Sequence, residues 1–467
     1  MKQFLAVGAV ALVLAGCKES TVTPAAGTLP TKLYPYEVTY DAAVFKQRRD
    51  ALVQEIPAGS IVLLTTNNIY LRNGDIDYDF HPASEFYYIT GFEEPHAVAI
   101  LRPKQTSPGS SEMIMFVESR QGTLAQWLGP VYGPEGAVQF FSADSAFAFT
   151  ALPSYLHAIL QQGGISSVYA NLYDNEDVRG TFIDAAGAGF PIHDVDTLIS
   201  ELRLVKVPLE ITHIRRAIEV SSQAFLEGIR SVRPSVYEYE IEAVMEFVLG
   251  LHGCPGPSFP TIVASGPNIT TIHYDANTRQ MQNGDLVMID FGAEYGYCAA
   301  DLTRTLPVSG TFTAVQATIY DIVKNAHDAV IAAAAPGVNF NALTTLNIDL
   351  LIEGLLQRGV ITGSKASIIS SGQYRLYIPA GLGHQIGLDV HDPWPPDAAR
   401  NRILRENMVI AIEPHLYLNA GDSTVSPAYR GVCARIEDDI LITSSGCEVL
   451  SATLPNTRTA LEQLMIR

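Results

Sequence analysis

The sequence predicts a mixed helix-and-strand protein of two domains, α/β first and α+β second, and three observations predict it. Strand-like apolar runs at 60–66 (SIVLLTT), 96–101 (HAVAIL) and 112–117 follow a helical stretch at 43–54. From Pro208 the pattern changes. Ile211, Ile214, Ile218, Phe225 and Ile229 recur near the 3.6-residue period, and Pro208 suits a first helical turn. Further on, 285–307 reads DLVMIDFGAEYGYCAADLTRTLP, two β-rich runs around a short turn, which is a hairpin signature.

In the first domain, taken as residues 36–205, later strands are expected at 168–171 and 189–192. The aromatic stretch 78–95 (YDFHPASEFYYITGFEEP) reads as core or surface loop. In the second, 206–460, Pro234 ends the first helix and a second is expected at 237–251. A Pro/Gly-rich loop then feeds a strand at 261–265, and His273 lies on the loop before the hairpin. Helices are expected at 314–335 and 342–358. Strands are expected at 374–378, 407–413 and 431–442, the last interrupted by Asp438-Asp439.

The hairpin is the most informative stretch. With Tyr295-Gly296 as its turn, Asp290 and Asp301 become a directly opposed pair, with Cβ atoms about 4.5–5.5 Å apart on one face. Two carboxylates that close in an apolar run are costly unless something positive lies between them. Two divalent cations about 3.5–4 Å apart would meet that need. The plainer alternative is one satisfied Asp and one Asp at a strand end.

Other segments repeat the theme. Gly383-His384-Gln385-Ile386-Gly387 sets a His between glycines, as where backbone must approach closely. His391-Asp392 follows seven residues on. Glu413 ends the apolar run VIAI, and Arg435 and Glu437 share one strand face by their spacing. Alone, each has an ordinary structural reading: a core histidine, or a cross-strand ion pair. Together they place acids repeatedly at the ends of apolar strands, with His on Gly-flanked turns.

Residues 206–456 resemble the catalytic domain of the M24 metallopeptidases, the pita-bread fold shared by methionine aminopeptidase, aminopeptidase P and prolidase. The residues carrying the resemblance are MIDFGAEYGYCAADLTRT, GLGHQIGLDVHD, IAIEPHLY and RIEDDI. Residues 36–205 resemble the aminopeptidase P N-terminal domain, through 78–95 and the preceding SIVLL. The resemblance implies a metal-ligand set of Asp290, Asp301, His384, Glu413 and Glu437 around two divalent ions. Four carboxylates and an imidazole suit Mn²⁺, with Co²⁺, Fe²⁺ and Zn²⁺ as alternatives. It further implies Glu413 as proton acceptor and His391 as stabiliser of the tetrahedral oxyanion. His273 would serve the leaving proline nitrogen, and Arg435 would either orient the ligands or meet a substrate carboxylate.

The implied activity is a Xaa-Pro aminopeptidase acting on proline-containing peptides, with prolidase as runner-up and a non-catalytic binding protein as the other class. Relatives are often dimers or tetramers. One position departs from the pattern: Ala380 stands where relatives commonly carry a His, four residues before the His ligand.

Composition bounds the rest. A chain of 467 residues, 47% hydrophobic and 17% charged, is long enough for two cores. Its net charge of −19, with no Lys/Arg cluster, argues against nucleic acid as partner. At the start, Lys2 precedes an apolar run at 4–14 that is too short to span a bilayer. Leu14-Ala15-Gly16-Cys17 resembles a lipobox. The expectation is a signal peptide over 1–17, a lipidated Cys17, a Ser/Thr/Pro tether over 18–35 and export to the outer membrane or cell surface, held only by the lipid. The four other cysteines match no metal-site spacing, and free core thiols are expected over disulfides.

Overall fold

The computed structural model describes residues 41–119, 131–172, 175–395 and 402–466. The signal peptide, Cys17 and the tether lie outside the described residues.

The first domain is built on one six-stranded sheet. Its spatial order is Ser145–Ala148, Ser111–Val117, Val98–Pro103, Ser60–Thr65, Ser167–Ala170 and Ile192–Asp194. Ser60–Thr65 runs antiparallel to Val98–Pro103 and parallel to Ser167–Ala170, so the sheet is mixed. Alternation sorts its side chains. Ile61, Leu63, Ile100 and Phe116 pack against Leu152, Leu156 and Phe182 of the helices Leu152–Gln161 and Glu176–Ala186. Val62, Leu64, Leu101 and Met115 face the other way. They belong to a cluster that continues into the second domain through Ile214, Phe225 and Phe291. The two domains therefore share a core.

The aromatic stretch 78–95 is core at its centre rather than surface loop. It contains the helix Ser84–Thr90, closed by Gly91 at φ 72°, and it buries Phe86, Tyr87 and Tyr88. Tyr88 Oη donates to the Leu202 carbonyl near the end of the first domain, and His81 Nε2 reaches the second domain, 3.1 Å from Glu294.

The second domain opens with the helices Pro208–Ser231 and Glu238–Leu251, as expected, and adds Ala314–Ala333 and Phe340–Gln357. They cover short antiparallel sheets, of which Ile262–Ser265, Leu286–Phe291 and Leu302–Pro307 form one. Val409–Ile412, Asp438–Ile442 and Cys447–Val449 form another, and His415–Tyr417 pairs with Cys433–Arg435.

Two strand expectations fail. Residues 374–378 are mostly a 3-10 turn, Gln373–Leu376. The run 431–442 is two strands, broken at Ile436-Glu437 rather than at the Asp pair. There the chain leaves one partner strand for another.

The hairpin register also differs. Its turn is Gly296-Tyr297, both at positive φ (59° and 63°), not Tyr295-Gly296. The pairing that follows sets Asp290 opposite Thr303, so Asp290 and Asp301 are not directly opposed. They are diagonal neighbours on one face. A tyrosine at positive φ is uncommon. Tyr297 is compensated by its ring, which packs on Tyr87 at 4.4 Å and His81 at 5.3 Å between centroids.

Among the described residues, no disulfide joins Cys254, Cys298, Cys433 or Cys447, and no helix is long and apolar enough to cross a membrane.

Candidate active site

Five strand ends and loops meet at one point. Leu286–Phe291 delivers Asp290, and Asp301 lies just before Leu302–Pro307. Val409–Ile412 ends one residue before Glu413, and Glu437 stands in the break between Cys433–Arg435 and Asp438–Ile442.

His384 arrives on a loop laced to the strand Val409–Ile412: its carbonyl accepts from Ala411 N–H at 2.9 Å, and the Leu382 carbonyl accepts from Glu413 N–H at 2.9 Å. A Cβ on Gly383 would sit 1.9 Å from the Ala411 carbonyl oxygen, so this approach demands glycine.

Ligand atoms of Asp290, Asp301 and Glu437 lie within 4.8 Å of one another. So do those of His384, Glu413 and Glu437, and those of Asp301, His384 and His391. His384 Nδ1 is 3.1 Å from the Gln385 carbonyl, which can only accept; the proton is therefore on Nδ1, and Nε2 turns its lone pair inward. Nε2 lies 3.4 Å from Asp301 Oδ2 and 3.9 Å from Glu437 Oε1. Burial, helped by the neighbouring His391, pushes the His384 pKa down to about 4, which keeps the imidazole a neutral donor. The two rings are 4.2 Å apart between centroids.

Among the described residues, Arg435 is the cation at the centre, and it is buried. It pairs with Asp290, donates from Nε to the Thr303 hydroxyl at 3.0 Å and lies 3.7 Å from Glu413. It orients ligands; its guanidinium is occupied inside the protein rather than offered to a substrate carboxylate. The ion pair that Arg435 makes is with Asp290, not the cross-strand pair with Glu437 that was the plainer alternative. Thr303, which sequence reasoning missed, stands 2.8 Å from Asp290 Oδ1 and 2.7 Å from Glu437 Oε2. Its signal was its spacing, two residues from Asp301 on the same strand face.

A single arginine cannot neutralise four carboxylates. Burial first, then the charges of Glu437 and Asp290, pushes Asp301 well above the usual carboxylate range; burial and then Glu413 do the same to Glu437. Burial raises Glu413 to about 7. Asp301 Oδ1 and Glu437 Oε1 are buried without a hydrogen-bond partner. Orphaned carboxylate oxygens facing a neutral imidazole are what divalent cations would satisfy.

Cation binding must then displace protons, and affinity should rise with pH through about 7. Calorimetric titration with Mn²⁺ in buffers of different ionisation enthalpy should show proton release that is larger at about pH 6 than at about pH 8. No release at the lower pH would contradict this electrostatic account.

His391 and His273 sit at the exposed rim, close enough for His273 to act electrostatically on His391. Ala380 is also at the rim; its N–H donates to His415 Nε2 at 3.3 Å, while His415 Nδ1 donates to the Glu413 carbonyl at 2.9 Å.

Residues 212–444 match metallopeptidase family M24, and residues 45–169 match the aminopeptidase P N-terminal domain. A Xaa-Pro aminopeptidase of Escherichia coli (strain K12) is 35% identical over 433 residues, covering 90% of this chain and 97% of that protein. The chain belongs to metallopeptidase family M24.

Other M24 relatives include Xaa-Pro aminopeptidase 3 of Homo sapiens, 30% identical, with 94% of this chain and 90% of that protein covered. A structure of E. coli aminopeptidase P with the inhibitor Pro-Leu superposes with a TM-score of 0.85 at 34% identity, covering 92% of this chain and 99% of that one. Proline aminopeptidase P II from Yersinia pestis gives 0.86 at 32%, covering 91% and 99%. The pita-bread architecture and its N-terminal domain are thus those of this M24 branch.

Proposed function

We propose that the protein is a metal-dependent Xaa-Pro aminopeptidase, removing the first residue of peptides whose second residue is proline. The observation that carries this reading is the convergence of Asp290, Asp301, His384, Glu413 and Glu437 on one buried point, within a chain similar to Xaa-Pro aminopeptidases over nine-tenths of its length.

Two divalent ions, Mn²⁺ by preference, would be held by these five residues and would supply Lewis acidity and an acidified water. The side chains do the rest. Glu413 takes the proton of the attacking water. His391, at the rim, donates to the oxyanion of the tetrahedral intermediate. His273 attends the leaving proline nitrogen, and Arg435 with Thr303 holds Asp290 in place.

The reading is tested by mass spectrometry of Xaa-Pro-Yaa against Xaa-Ala-Yaa tripeptides. Loss of the first residue from the proline peptide alone is expected; equal cleavage of both would reject the proline requirement. His391→Ala should lower kcat by about 10²–10³-fold with metal content intact. Loss of metal in that variant would make His391 a ligand or structural residue instead.

Export and lipid anchoring through Cys17 belong to the same reading, supported by the Leu14-Ala15-Gly16-Cys17 pattern. Cys17→Ser should move the protein out of the membrane fraction, and unchanged fractionation would reject lipidation. A homo-oligomer, dimer or tetramer, is proposed only on the habit of the family.

A further inference from the structure

The loop from His384 to Asp392 begins at one imidazole of the site and ends beside another. Asp392 N–H donates to the Gln385 carbonyl at 3.0 Å, and Gly387 N–H to the Asp389 carbonyl at 3.1 Å. Inside this closure lies the Asp392 carboxylate. It rests so tightly on Gly387 that a Cβ there would come within 2.5 Å of it. Asp392 thus shapes the loop on which His391 is the preceding residue.

What holds Asp392 comes from outside the loop. Its side chain is 1% exposed and is paired with Arg203, while Lys206 Nζ donates to Oδ2 at 2.8 Å. Burial alone would raise its pKa; Arg203 and Lys206 outweigh that and hold it below the usual carboxylate range, so it is ionised. Arg203 and Lys206 lie where the first domain meets the second. Lys206 Nζ also donates to the Arg203 carbonyl at 2.7 Å.

Arg203 has further partners. It donates to Glu85 at 2.8 Å and to the other acid of the loop, Asp389, at 2.6 Å. Ser84 Oγ also donates to Asp389. Ser84 and Glu85 open the helix Ser84–Thr90 of the first domain. A planar guanidinium can serve three carboxylates from one position; an ammonium on a flexible stem would not hold them in register.

We propose that Arg203 is a positioning residue for His391, and that through Arg203, Asp392 and Asp389 the N-terminal domain sets where that imidazole stands over the metal centre. This rests on the reading of His391 as the oxyanion donor. It gives the N-terminal domain a part in the chemical step besides any part in closing the cleft.

The test uses the full chain loaded with Mn²⁺ and a Xaa-Pro-Yaa tripeptide. Arg203→Lys and Asp389→Asn are each combined with His391→Ala. Each single variant should lower kcat by about 10- to 100-fold, the scale of a misplacement near 1 Å, with KM and metal content close to those of the parent. In the His391→Ala background neither should lower kcat further.

Unchanged kcat in the single variants would overturn the proposal, as would losses that multiply with that of His391→Ala. Should Arg203→Lys fail to fold, Asp389→Asn carries the test, since that carboxylate is 40% exposed. Parent-like kcat in His391→Ala would overturn the oxyanion reading, and with it the coupling that rests on it.

Discussion

Glu413→Gln is expected to reduce kcat by about 10²–10⁴-fold or more, the range for loss of a positioned proton acceptor. The substitution keeps shape and removes charge and basicity. Glu413 sits one residue past the strand Val409–Ile412, its N–H bonded to the Leu382 carbonyl and its carbonyl to His415, so its backbone frame survives the change. It loses two things at once: a ligand oxygen grouped with those of His384 and Glu437, and the proton acceptor of the proposed reaction. The fold should remain, because the nearest cation, Arg435, stays paired with Asp290. Steady-state kinetics with metal analysis decides the matter. Near-parental activity in Glu413→Gln would remove this residue from the chemistry.

Arg304→Met is the second large effect, and it is expected in stability. Arg304 is fully buried behind the metal-ligand strand. It donates to the Glu437 carbonyl at 2.7 Å, to Asp438 at 2.6 Å and to the Thr303, Leu454 and Pro455 carbonyls. Asp438 is held below the usual carboxylate range against its own burial by Arg304 and by His327, whose Nε2 is 3.0 Å away. Removing one partner of a buried pair leaves the other charge stranded, which costs about 3–5 kcal/mol.

The pH dependence has a definite sign. A depressed carboxyl contributes stability that is present above its unfolded pKa and lost as pH falls through its folded one. Asp438 therefore stabilises the parent at neutral pH, and that contribution should be missing in Arg304→Met. Denaturant unfolding at neutral pH measures it. A variant within about 0.5 kcal/mol of the parent, the ordinary range for surface substitutions, would show that Arg304 does no such work.

The site was legible because its residues are costly where they stand. Acids at the ends of apolar strands, and a histidine between glycines, contradict their local surroundings, and such contradictions mark function. The hairpin showed its two Asp residues on one face, but its register was misjudged. The turn glycine was placed second, whereas Gly296 comes first and Tyr297 takes the strained position. That choice depends on Tyr87 and His81, more than 200 residues earlier in the chain.

The same limit hid the helix Ser84–Thr90, whose aromatics bury against Phe45 and Arg48 of the helix Ala42–Gln54 and against Tyr297 of the other domain. It also hid the Arg203–Asp392 pair, since nothing local in LRLVK announces a partner 189 residues away. Thr303 and Arg304 were invisible for a related reason. Their roles exist only once Leu302–Pro307 lies beside the broken strand at Glu437.

The most direct test of the central claim is hydrolysis by the purified chain, from Lys18 onward, of a Xaa-Pro-Yaa tripeptide and a Xaa-Pro dipeptide. Each is measured with Mn²⁺, after chelation and after Mn²⁺ is restored. The account predicts release of the first residue from the tripeptide, abolished by chelation and recovered with the metal. Cleavage of the dipeptide alone would make the enzyme a prolidase. Cleavage of neither substrate by metal-loaded protein would contradict the account and direct attention to Ala380.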